Sequence, residues 1–437
     1  MLEVALSLAC IFFAIYLIGK WKIFEVDHLP RQVFHLMFII KLLAALALYI
    51  IYTRFYTDRS TADIFRYYDD SAVLYSAFTD HPWDFFRMLT GLDAGNAALQ
   101  PYYDSMRNWY NTDLLFNDSR TMIRLNAFLR LFSVGTYFPH AIVLCFLSLL
   151  GLTGIFRLLN RLMPGRELLL LLLVFLLPST LIWTSGMIKE ALLLFVLGAL
   201  LYRLECGAIP GSAGRLNSLF LLVLILAMLM VKAYVFFLIA PVFIIVWKYL
   251  RKDGPRISFA AVLVAVWMMT MALASPHITG RSVPELIADK QAEFYAVAER
   301  DHAGSIIDVH RLEHSWTDLI AEAPSAFFRT LLLPLPWQTH NILMWFSVGE
   351  NLLILSLLTL FLFTSRKNHA PAVLAPLMAL LFFGVTIFVL SGWVAPVIGA
   401  LVRYKVPGLV FLLAGLSAWS YRPWMGMSFW LAKVRKG

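Results

Sequence analysis

Long apolar runs alternate along this chain with short polar connections. A transmembrane helix needs roughly 20 mostly apolar residues, each adding about 1.5 Å of rise. Single spans are predicted at residues 2–18, 33–51, 137–156, 259–274, 352–364, 371–390 and 397–419. Two longer runs, residues 168–201 and 216–246, are predicted to break into two spans each, near Trp183 and at Lys232. The pattern therefore predicts an all-α polytopic bundle of about 11 spans.

Composition agrees with this pattern, because 60% of the residues are hydrophobic and only 14% are charged. A water-soluble fold could not bury that much apolar surface. No linker-like stretch divides the chain, so residues 1–437 are expected to form one membrane domain with two long loops. Cys10, Cys145 and Cys206 lie in or beside apolar runs and lack the spacing of a disulfide framework or zinc site.

Lysine and arginine cluster in alternate short connections, which predicts the orientation of the chain. The basic connections are residues 19–32, 157–167, 203–215, 247–258 and 365–370, together with the C-terminal tail. They are expected to be cytoplasmic, so the N-terminus and the loops at residues 52–136 and 275–351 are expected outside, with the C-terminus inside. This asymmetry explains the net charge of +9 without nucleic acid.

The first long loop has two amphipathic stretches. Ser60 and Asp63 form a helix-start pattern, and His81 precedes the proline that is expected to end the helix. Its predicted apolar face consists of Phe65, Tyr68, Ala72, Tyr75 and Phe78. The second stretch, residues 118–132, has arginines between apolar residues, which is typical of a helix in the headgroup plane. The first loop is therefore expected to lie along the membrane.

Asp69 and Asp70 on the first of these helices are candidate catalytic carboxylates. A carboxylate at the membrane surface could act as a general base toward an acceptor hydroxyl. Alternatively, Asp70 could form an ordinary i,i+4 ion pair with Arg66 on a solvated helix. Adjacent helical residues point about 100° apart, and Asp69 borders the predicted apolar face. Asp69 is therefore the favoured base.

Ionisable residues within apolar runs form the second set of candidates, because each costs roughly 2.5–3.5 kcal/mol at mid-bilayer. The predicted topology places toward the outer face Lys189, Glu190, Lys232, Glu350, Arg403 and Lys405, with the aromatic residues Tyr234 and Tyr404 nearby. Such cations suit a phosphate group at the outer leaflet. Alternatively, they pair with neighbouring charges or extend to the interface. Lys41 lies too deep for this pattern and is expected to face a neighbouring helix.

Three segments resemble the GT-C class of membrane glycosyltransferases and the related bacterial polysaccharide polymerases. They are residues 68–70 (Tyr-Asp-Asp), residues 178–190 and residues 399–407. The resemblance implies transfer of a sugar from a polyprenyl-phosphate or polyprenyl-diphosphate donor to a glycan or lipid acceptor at the outer leaflet of a bacterial inner membrane. It assigns Asp69 or Asp70 as base, with the donor phosphate held by Arg403, Lys405, Lys189 and Lys232. One departure is that the acidic loop follows the second span rather than the first.

The same resemblance allows a divalent metal, although no dense carboxylate cluster requires one. His310 and His314 flank Glu313 but lack the order of a zinc protease, so a solvated helix carrying both is expected. Two other functions remain open. A transporter or flippase of a lipid-linked oligosaccharide would also bury cations and break helices. A noncatalytic envelope-assembly protein is the third reading, disfavoured because a scaffold has no need for buried charges.

Overall fold

The computed structural model describes residues 1–55, 59, 62–109, 117–207, 215–339, 342–364 and 371–419. Within these ranges the chain is all-helical and has no β-strand. In chain order the helices are α1 (Leu2–Lys20), α2 (Gln32–Arg54), α3 (Asp63–Asp80), α4 (Pro82–Thr90), α5 (Gln100–Ser105), α6 (Asp118–Ser133), α7 (Phe138–Leu162), α8 (Glu167–Leu171), α9 (Pro178–Trp183), α10 (Lys189–Gly207), α11 (Arg215–Leu250), α12 (Ile257–Thr279), α13 (Val283–Arg300), α14 (Trp316–Leu332), α15 (Ile342–Phe363), α16 (Pro371–Val394), α17 (Ile398–Tyr404) and α18 (Val406–Ser417).

Seven helices of the described chain are long and apolar enough to cross a bilayer, namely α1, α2, α7, α11, α12, α15 and α16. The pair α17 and α18, bent by 56°, makes an eighth if it is one span. The chain is therefore an integral membrane protein, as predicted. The sequence predicts about 11 spans because it divides residues 168–201 and 216–246 into two spans each.

Both predicted helix breaks are confirmed. In the first run, a π-helical turn at Leu172–Leu176 continues α8, α9 ends at Trp183, and Gly186 has φ +84° before α10 begins. In the second run, α11 is 36 residues long and contains the non-helical residue Lys232, with φ −156° and ψ 89°. The two runs thus form two short helices, α8 and α9, the 19-residue helix α10 and one interrupted helix.

The chain divides into two compact units. The first unit comprises Met1–Ile155, Leu181–Tyr202 and Gly214–Phe236. The second unit comprises Phe156–Thr180, Arg203–Ala213 and Phe237–Gly437. Each unit contains one long loop with its own helices, so each has its own candidate residues.

In the first unit, α7 and α10 cross closely at glycines. A Cβ atom on Gly198 would lie 1.8 Å from the carbonyl oxygen of Gly151, and one on Gly154 would lie 2.2 Å from the carbonyl oxygen of Gly198. Small residues allow such backbone approach between membrane helices. At the start of α7, the Glu3 carboxylate accepts hydrogen bonds from the backbone N–H groups of Tyr137 and Phe138, at 3.1 and 3.2 Å. The N-terminal end of α1 therefore lies beside that of α7.

The first loop is a layer of helices packed on the ends of the spans. Helices α3, α4 and α6 pack together. Helix α6 matches its predicted range to within one residue, and α3 ends before His81 as predicted, whereas the predicted start Ser60 lies outside the described residues. The Thr121 hydroxyl, in the second turn of α6, donates to the Met230 carbonyl of α11 at 2.8 Å, and four residues separate the other end of α6 from α7. Helix α6 therefore contacts α11 beside its interruption and leads directly into α7.

In the second unit, α16 packs against both α14 and α18. The second loop folds back on the connection between α16 and α17, where Ile307 N–H donates to the Pro396 carbonyl at 2.8 Å and Ile398 N–H donates to the Ser305 carbonyl at 3.1 Å. The Gln291 amide of α13 extends this contact by donating to the Trp393 carbonyl at 2.8 Å. The loop is thereby attached to the start of α17.

The predicted helix carrying His310 and His314 is wrong, because residues 310–313 have no helical structure. The ring of His310 instead contacts Asp318 in the first turn of α14, with 2.7 Å between Nε2 and Oδ1. The Glu313 backbone N–H also donates to Asp318, at 2.8 Å, and these hydrogen bonds lower the pKa of that carboxyl. Capping of α14 therefore fixes this segment in a non-helical conformation.

Candidate functional site

The two aspartates of α3 have different partners, both within the first unit. Asp69 forms a bidentate ion pair with Arg59, whose Nε and Nη2 lie 2.7 Å from Oδ2 and Oδ1. The two side chains are 42% and 52% exposed, respectively. Hydrogen bonding to Asp69 raises the pKa of Arg59. Asp69 is thus accessible, but both of its oxygens are bound to a guanidinium.

Asp70 is buried and holds a loop segment. Its carboxylate accepts hydrogen bonds from Arg107 N–H at 3.1 Å, from Asn108 N–H at 2.7 Å and from the Asn108 side-chain amide at 2.9 Å. Arg66 donates to the Asn108 side-chain carbonyl at 2.9 Å and pairs with Asp63 at 3.4 Å. Asp70 therefore has a structural role in fixing residues 107–108.

Asp70 is buried and Asp69 is exposed, which is the reverse of the expectation. The reason is that the buried face of α3 is rotated from the predicted face. The buried positions include Ile64, Phe65, Tyr67, Tyr68, Asp70, Ser71, Leu74 and Ala77. Ala72 and Phe78, both predicted to be on the apolar face, are exposed. A shift of one residue turns a helix by about 100°, which moves Asp70 inside and Asp69 outward.

Lys189 lies at the start of α10 and contacts the first loop. Its ammonium is 2.9 Å from Oδ1 of Asp118 and donates to the Ser119 hydroxyl at 3.1 Å. It also lies 4.7 Å from the ring centre of Tyr67, and burial raises the pKa of that tyrosine. The Lys189 side chain is 12% exposed and that of Asp118 is 39% exposed. The lysine is therefore covered, whereas its carboxylate partner is reachable from solvent.

Glu190 and Lys232 form a buried ion pair at the break in α11. The Lys232 ammonium is 3.2 Å from Oε1 of Glu190, and the two side chains are 7% and 0% exposed. The same ammonium lies 5.8 Å from the ring centre of Tyr234. One carbonyl at the break, that of Met230, accepts the hydrogen bond from Thr121. Glu190, Lys232 and Tyr234 thus form one cluster in the first unit, and Lys189, which adjoins Glu190 in sequence, contacts the first loop instead.

Lys41 in α2 has a structural partner in the broken region between α9 and α10. Its buried ammonium donates to the Thr184 carbonyl at 2.8 Å and to the Thr184 hydroxyl at 2.6 Å. The Ser148 hydroxyl donates to the same carbonyl at 2.7 Å. Backbone carbonyls at a helix break need such donors where water is excluded. Lys41 was expected to face a neighbouring helix, and its ammonium instead binds the non-helical segment between α9 and α10.

In the second unit, Glu350 and Lys405 bind to different neutral groups. Oε1 of Glu350 accepts hydrogen bonds from both the backbone N–H and the hydroxyl of Ser179, each at 2.8 Å. The fully buried Lys405 ammonium donates to the side-chain carbonyl of Asn351 at 2.8 Å. The Asn351 amide in turn donates to the Leu332 carbonyl at 2.9 Å. A carboxylate therefore caps α9, while a neutral amide holds the lysine.

Arg403 lies at the end of α17, beside the 56° bend. Its guanidinium is partly buried, donates to the Tyr404 hydroxyl at 3.3 Å and lies 5.0 Å from the ring centre of that tyrosine. The Tyr404 ring meets Phe294 of α13 edge-on, with 5.7 Å between centroids. Ile307, Leu335 and Tyr404 all pack against one buried cluster, formed by Leu333, Ala395 and Leu401. Arg403 and Tyr404 therefore lie beneath the second loop.

Each unit thus gathers its predicted residues beside its own long loop. Sequence reasoning missed three partners, which are Asp118, Asn351 and Arg59. Asp118 and Asn351 had a detectable signal, since each lies at an end of an apolar or amphipathic run that was already recognised. Within the described part of the chain, no group of three His, Cys, Asp or Glu residues could hold a metal ion.

Comparison with known proteins adds no assignment: no protein-family model, no curated protein and no solved structure matches this chain.

Proposed function

We propose that this protein is a membrane glycosyltransferase or polysaccharide polymerase that uses a polyprenyl-phosphate-linked or polyprenyl-diphosphate-linked sugar donor. The single observation that carries the proposal is the cationic end of α17 in the second unit. Arg403 and Lys405 lie two residues apart at a helix bend, and the second loop packs on the adjoining Tyr404. Arginine offers a planar fork for phosphate oxygens, and lysine adds a point charge.

The neutral partner of Lys405 supports this role. The Lys405 ammonium donates to the neutral Asn351 amide, so its charge is offset at a distance by the Glu350 carboxylate rather than by a direct ion pair. In this proposal Arg403 binds the donor phosphate directly, and the fully buried Lys405 strengthens the field from behind. Glu350 holds α9 and does not touch the donor.

The proposed topology is the one with about 11 spans, and it has both long loops outside and the C-terminus in the cytoplasm of a bacterial cell. Reading the broken runs as pairs of spans would place both long loops on one side. External labelling should then modify single cysteines introduced near Asp93 and Ala303, and should spare one near Lys252. Labelling at Lys252 in intact cells would refute this orientation.

The proposed reaction is an inverting displacement. The acceptor hydroxyl attacks the anomeric carbon, and the sugar–phosphate bond breaks, so a carboxylate near the acceptor is required. The sequence candidates for this carboxylate are Asp69 and Asp70 of α3. Donor, glycan or lipid acceptor and surrounding lipids are the proposed partners, and the chain has no proposed role with nucleic acid.

The experiment compares lipid-linked glycans in cells that lack this chain and are complemented with variants. Wild type should consume the donor that accumulates in its absence. Arg403→Ala should restore almost none of this activity. Arg403→Lys keeps the charge but loses the fork and should restore below about a tenth, since one lost charged hydrogen bond is worth roughly 1.5–3 kcal/mol. Arg251→Lys, at the exposed end of α11, is the matched control. Full restoration by both Arg403 variants at equal protein level would refute the phosphate site.

A flippase for a lipid-linked oligosaccharide is favoured by one observation, the interruption of α11 at Lys232. Transporters commonly place their binding sites at such broken helices. Reconstitution in liposomes separates the two functions. A transferase forms a new glycosidic bond with a donor already in the accessible leaflet, whereas a flippase only moves the donor between leaflets.

A further inference from the structure

We infer that the first loop contains a binding site for a lipid-borne phosphate group, formed by Arg120 and Arg124 of α6 and by the hydroxyl of Tyr103 in α5. All of its residues belong to the first unit, and the site does not depend on the proposed transfer reaction. Three observations carry the inference. They are two neighbouring guanidiniums, a buried hydroxyl that makes no hydrogen bond, and an exposed apolar continuation of the same helix face.

The first observation is a pair of arginines one helical turn apart. Arg120 and Arg124 are four residues apart in α6, and like charges at this spacing repel each other. Both guanidiniums lie over the indole of Trp109, with their Cζ atoms 5.1 and 5.3 Å from the ring centre. The Arg124 Nε donates to the Met88 carbonyl at 2.9 Å. Burial lowers the pKa of Arg124, and so does the neighbouring charge of Arg120.

The contacts of Arg124 offset its charge only in part. An aromatic ring and a neutral carbonyl stabilise a guanidinium less than an anion does. Within the described part of the chain, no carboxylate contacts this partly buried arginine. A bound anion would supply the missing negative charge and would also reduce the repulsion from Arg120.

The aromatic base of the site is fixed by the rest of the loop. Trp109 is 5% exposed, and its ring stacks on that of Tyr103 with 4.8 Å between the centroids and 6° between the planes. Trp109 directly follows residues 107–108, which bind the buried carboxylate of Asp70. The structural role of Asp70 therefore extends to the position of Trp109 beside α6.

The second observation is the hydroxyl of Tyr103. The residue is 6% exposed, and its hydroxyl makes no hydrogen bond within the described chain. Arg124 and Arg120 both act electrostatically on this hydroxyl, as does Asp93. Burial raises the pKa of Tyr103, so the hydroxyl keeps its proton and can donate it. Buried polar groups normally have a hydrogen-bond partner, and an oxygen of an anion held by the two arginines would be that partner.

Phosphate suits this set of donors. The planar fork of arginine matches phosphate oxygens, and their tetrahedral arrangement lets one phosphate accept hydrogen bonds from donors on two different helices. The donors of this site come from α5 and α6. A phosphate group therefore satisfies both guanidiniums and the buried hydroxyl at once.

The third observation indicates that the phosphate belongs to a lipid. The same face of α6 continues at four-residue spacing with Phe128 and Phe132, which are 45% and 66% exposed. Their rings meet edge-on, with 5.4 Å between centroids. Arginines combined with exposed aromatic rings are typical of helices in the headgroup region, where basic residues attract anionic lipids. The phosphate binds at the cationic end of this face, and the phenyl rings contact the apolar chains.

The test measures equilibrium binding of short-chain phosphatidylglycerol to full-length protein in detergent. Tyr103→Phe removes only the oxygen that makes no hydrogen bond. It should weaken binding about tenfold, while the melting temperature of the lipid-free protein stays unchanged or rises. Tyr102→Phe is the matched control, because Tyr102 is the neighbouring residue of α5 and its hydroxyl interacts with Asp84 and Asp80 instead. Equal affinity of the Tyr103 variant and wild type would overturn the inference, as would an equal loss in both variants.

A second variant tests the guanidinium. Arg124→Gln should weaken binding about tenfold or more, because it removes a charged donor. Arg87→Gln is its control, since Arg87 lies in the same loop and pairs with Asp84 and Asp93 at 3.5 and 3.6 Å. Arg124→Gln also loses the hydrogen bond to Met88, so its melting temperature is measured alongside. Unchanged affinity in Arg124→Gln would overturn the site.

Competing ligands identify the source of the phosphate. Dioctanoylglycerol lacks a phosphate and should not displace phosphatidylglycerol, and inorganic phosphate should displace it only weakly. Equal competition by dioctanoylglycerol would overturn the phosphate site, and equal competition by inorganic phosphate would overturn its assignment to a lipid. Polyprenyl phosphate separates the two lipid sources. Stronger competition than that of phosphatidylglycerol itself would assign the site to a lipid-linked carrier, and weaker competition would assign it to a membrane phospholipid.

Discussion

The candidate phosphate-binding lysines of the two units have different hydrogen-bond partners. In the first unit, Lys189 and Lys232 each lie against a carboxylate, at 2.9 Å from Asp118 and 3.2 Å from Glu190. In the second unit, Lys405 donates to the neutral amide of Asn351, while the nearby Glu350 binds Ser179. In the first arrangement the carboxylates contact the lysines directly, whereas in the second Glu350 acts on Lys405 without a direct ion pair.

This difference bears on where the donor phosphate of the proposed function binds. A cancelled pair in a low-dielectric environment stabilises a particular helix arrangement and adds little field beyond itself. A buried cation with a neutral partner raises the potential around it and favours a nearby anion. In the proposed function, the donor phosphate therefore binds in the second unit.

The largest expected effect comes from leaving Lys232 without its carboxylate. Glu190→Gln should destabilise the protein by about 3–5 kcal/mol, because an unpaired buried charge is costly. Glu190→Gln combined with Lys232→Met should recover most of that loss. Thermal unfolding in detergent measures both. Equal stability of the single variant and wild type would show that the pair does not hold the break in α11.

An intermediate effect is expected from making the second unit resemble the first. Asn351→Asp gives Lys405 a carboxylate and should weaken donor binding about tenfold, which corresponds to about 1.4 kcal/mol. The lost amide hydrogen bond to Leu332 should cost about 1 kcal/mol of stability, which the new ion pair offsets in part. Donor titration and thermal unfolding separate the two effects. Unchanged donor affinity would remove Lys405 from the phosphate field.

The smallest effect is expected for the surface pair of the first unit. Arg59 and Asp69 are both roughly half exposed, so Asp69→Asn should change the stability by only about 0.2–1 kcal/mol. The measurement is thermal unfolding at low and high salt, since screening should reduce the difference further. A loss of several kcal/mol would mean that this pair is as structural as the buried ones.

The sequence was sufficient for features that depend on local pattern. The range of α6, the breaks near Trp183 and at Lys232, and the end of α3 were all predicted, because caps, prolines and apolar periodicity are encoded within a few residues. The number of spans was harder to predict. Helix α10 carries charges at both ends, and α11 continues through its break, so a length rule alone divides these runs differently from the structure.

Features that depend on distant partners could not be predicted from the sequence. Asp70 is buried because residues 107–108 fold onto it, and α3 alone gives no sign of that segment. Likewise, the carboxylate that pairs with Lys189 belongs to α6. Ser119 of that helix, which also binds Lys189, lies 70 residues earlier in the chain. Such tertiary contacts decide whether a charged side chain binds a ligand, acts as a base or stabilises the fold.

The position of Lys41 has a consequence for the synthesis of this protein. Its acceptor, Thr184, lies 143 residues later in the chain. At about 5–20 residues per second, the ribosome needs roughly 7–29 s to make that stretch. During this interval the α2 ammonium lacks its partner, and a lysine at the centre of a membrane helix costs roughly 2.5–3.5 kcal/mol. The second helix is therefore inserted in a provisional state, and its final position is fixed only after the turn that precedes α10 has been synthesised.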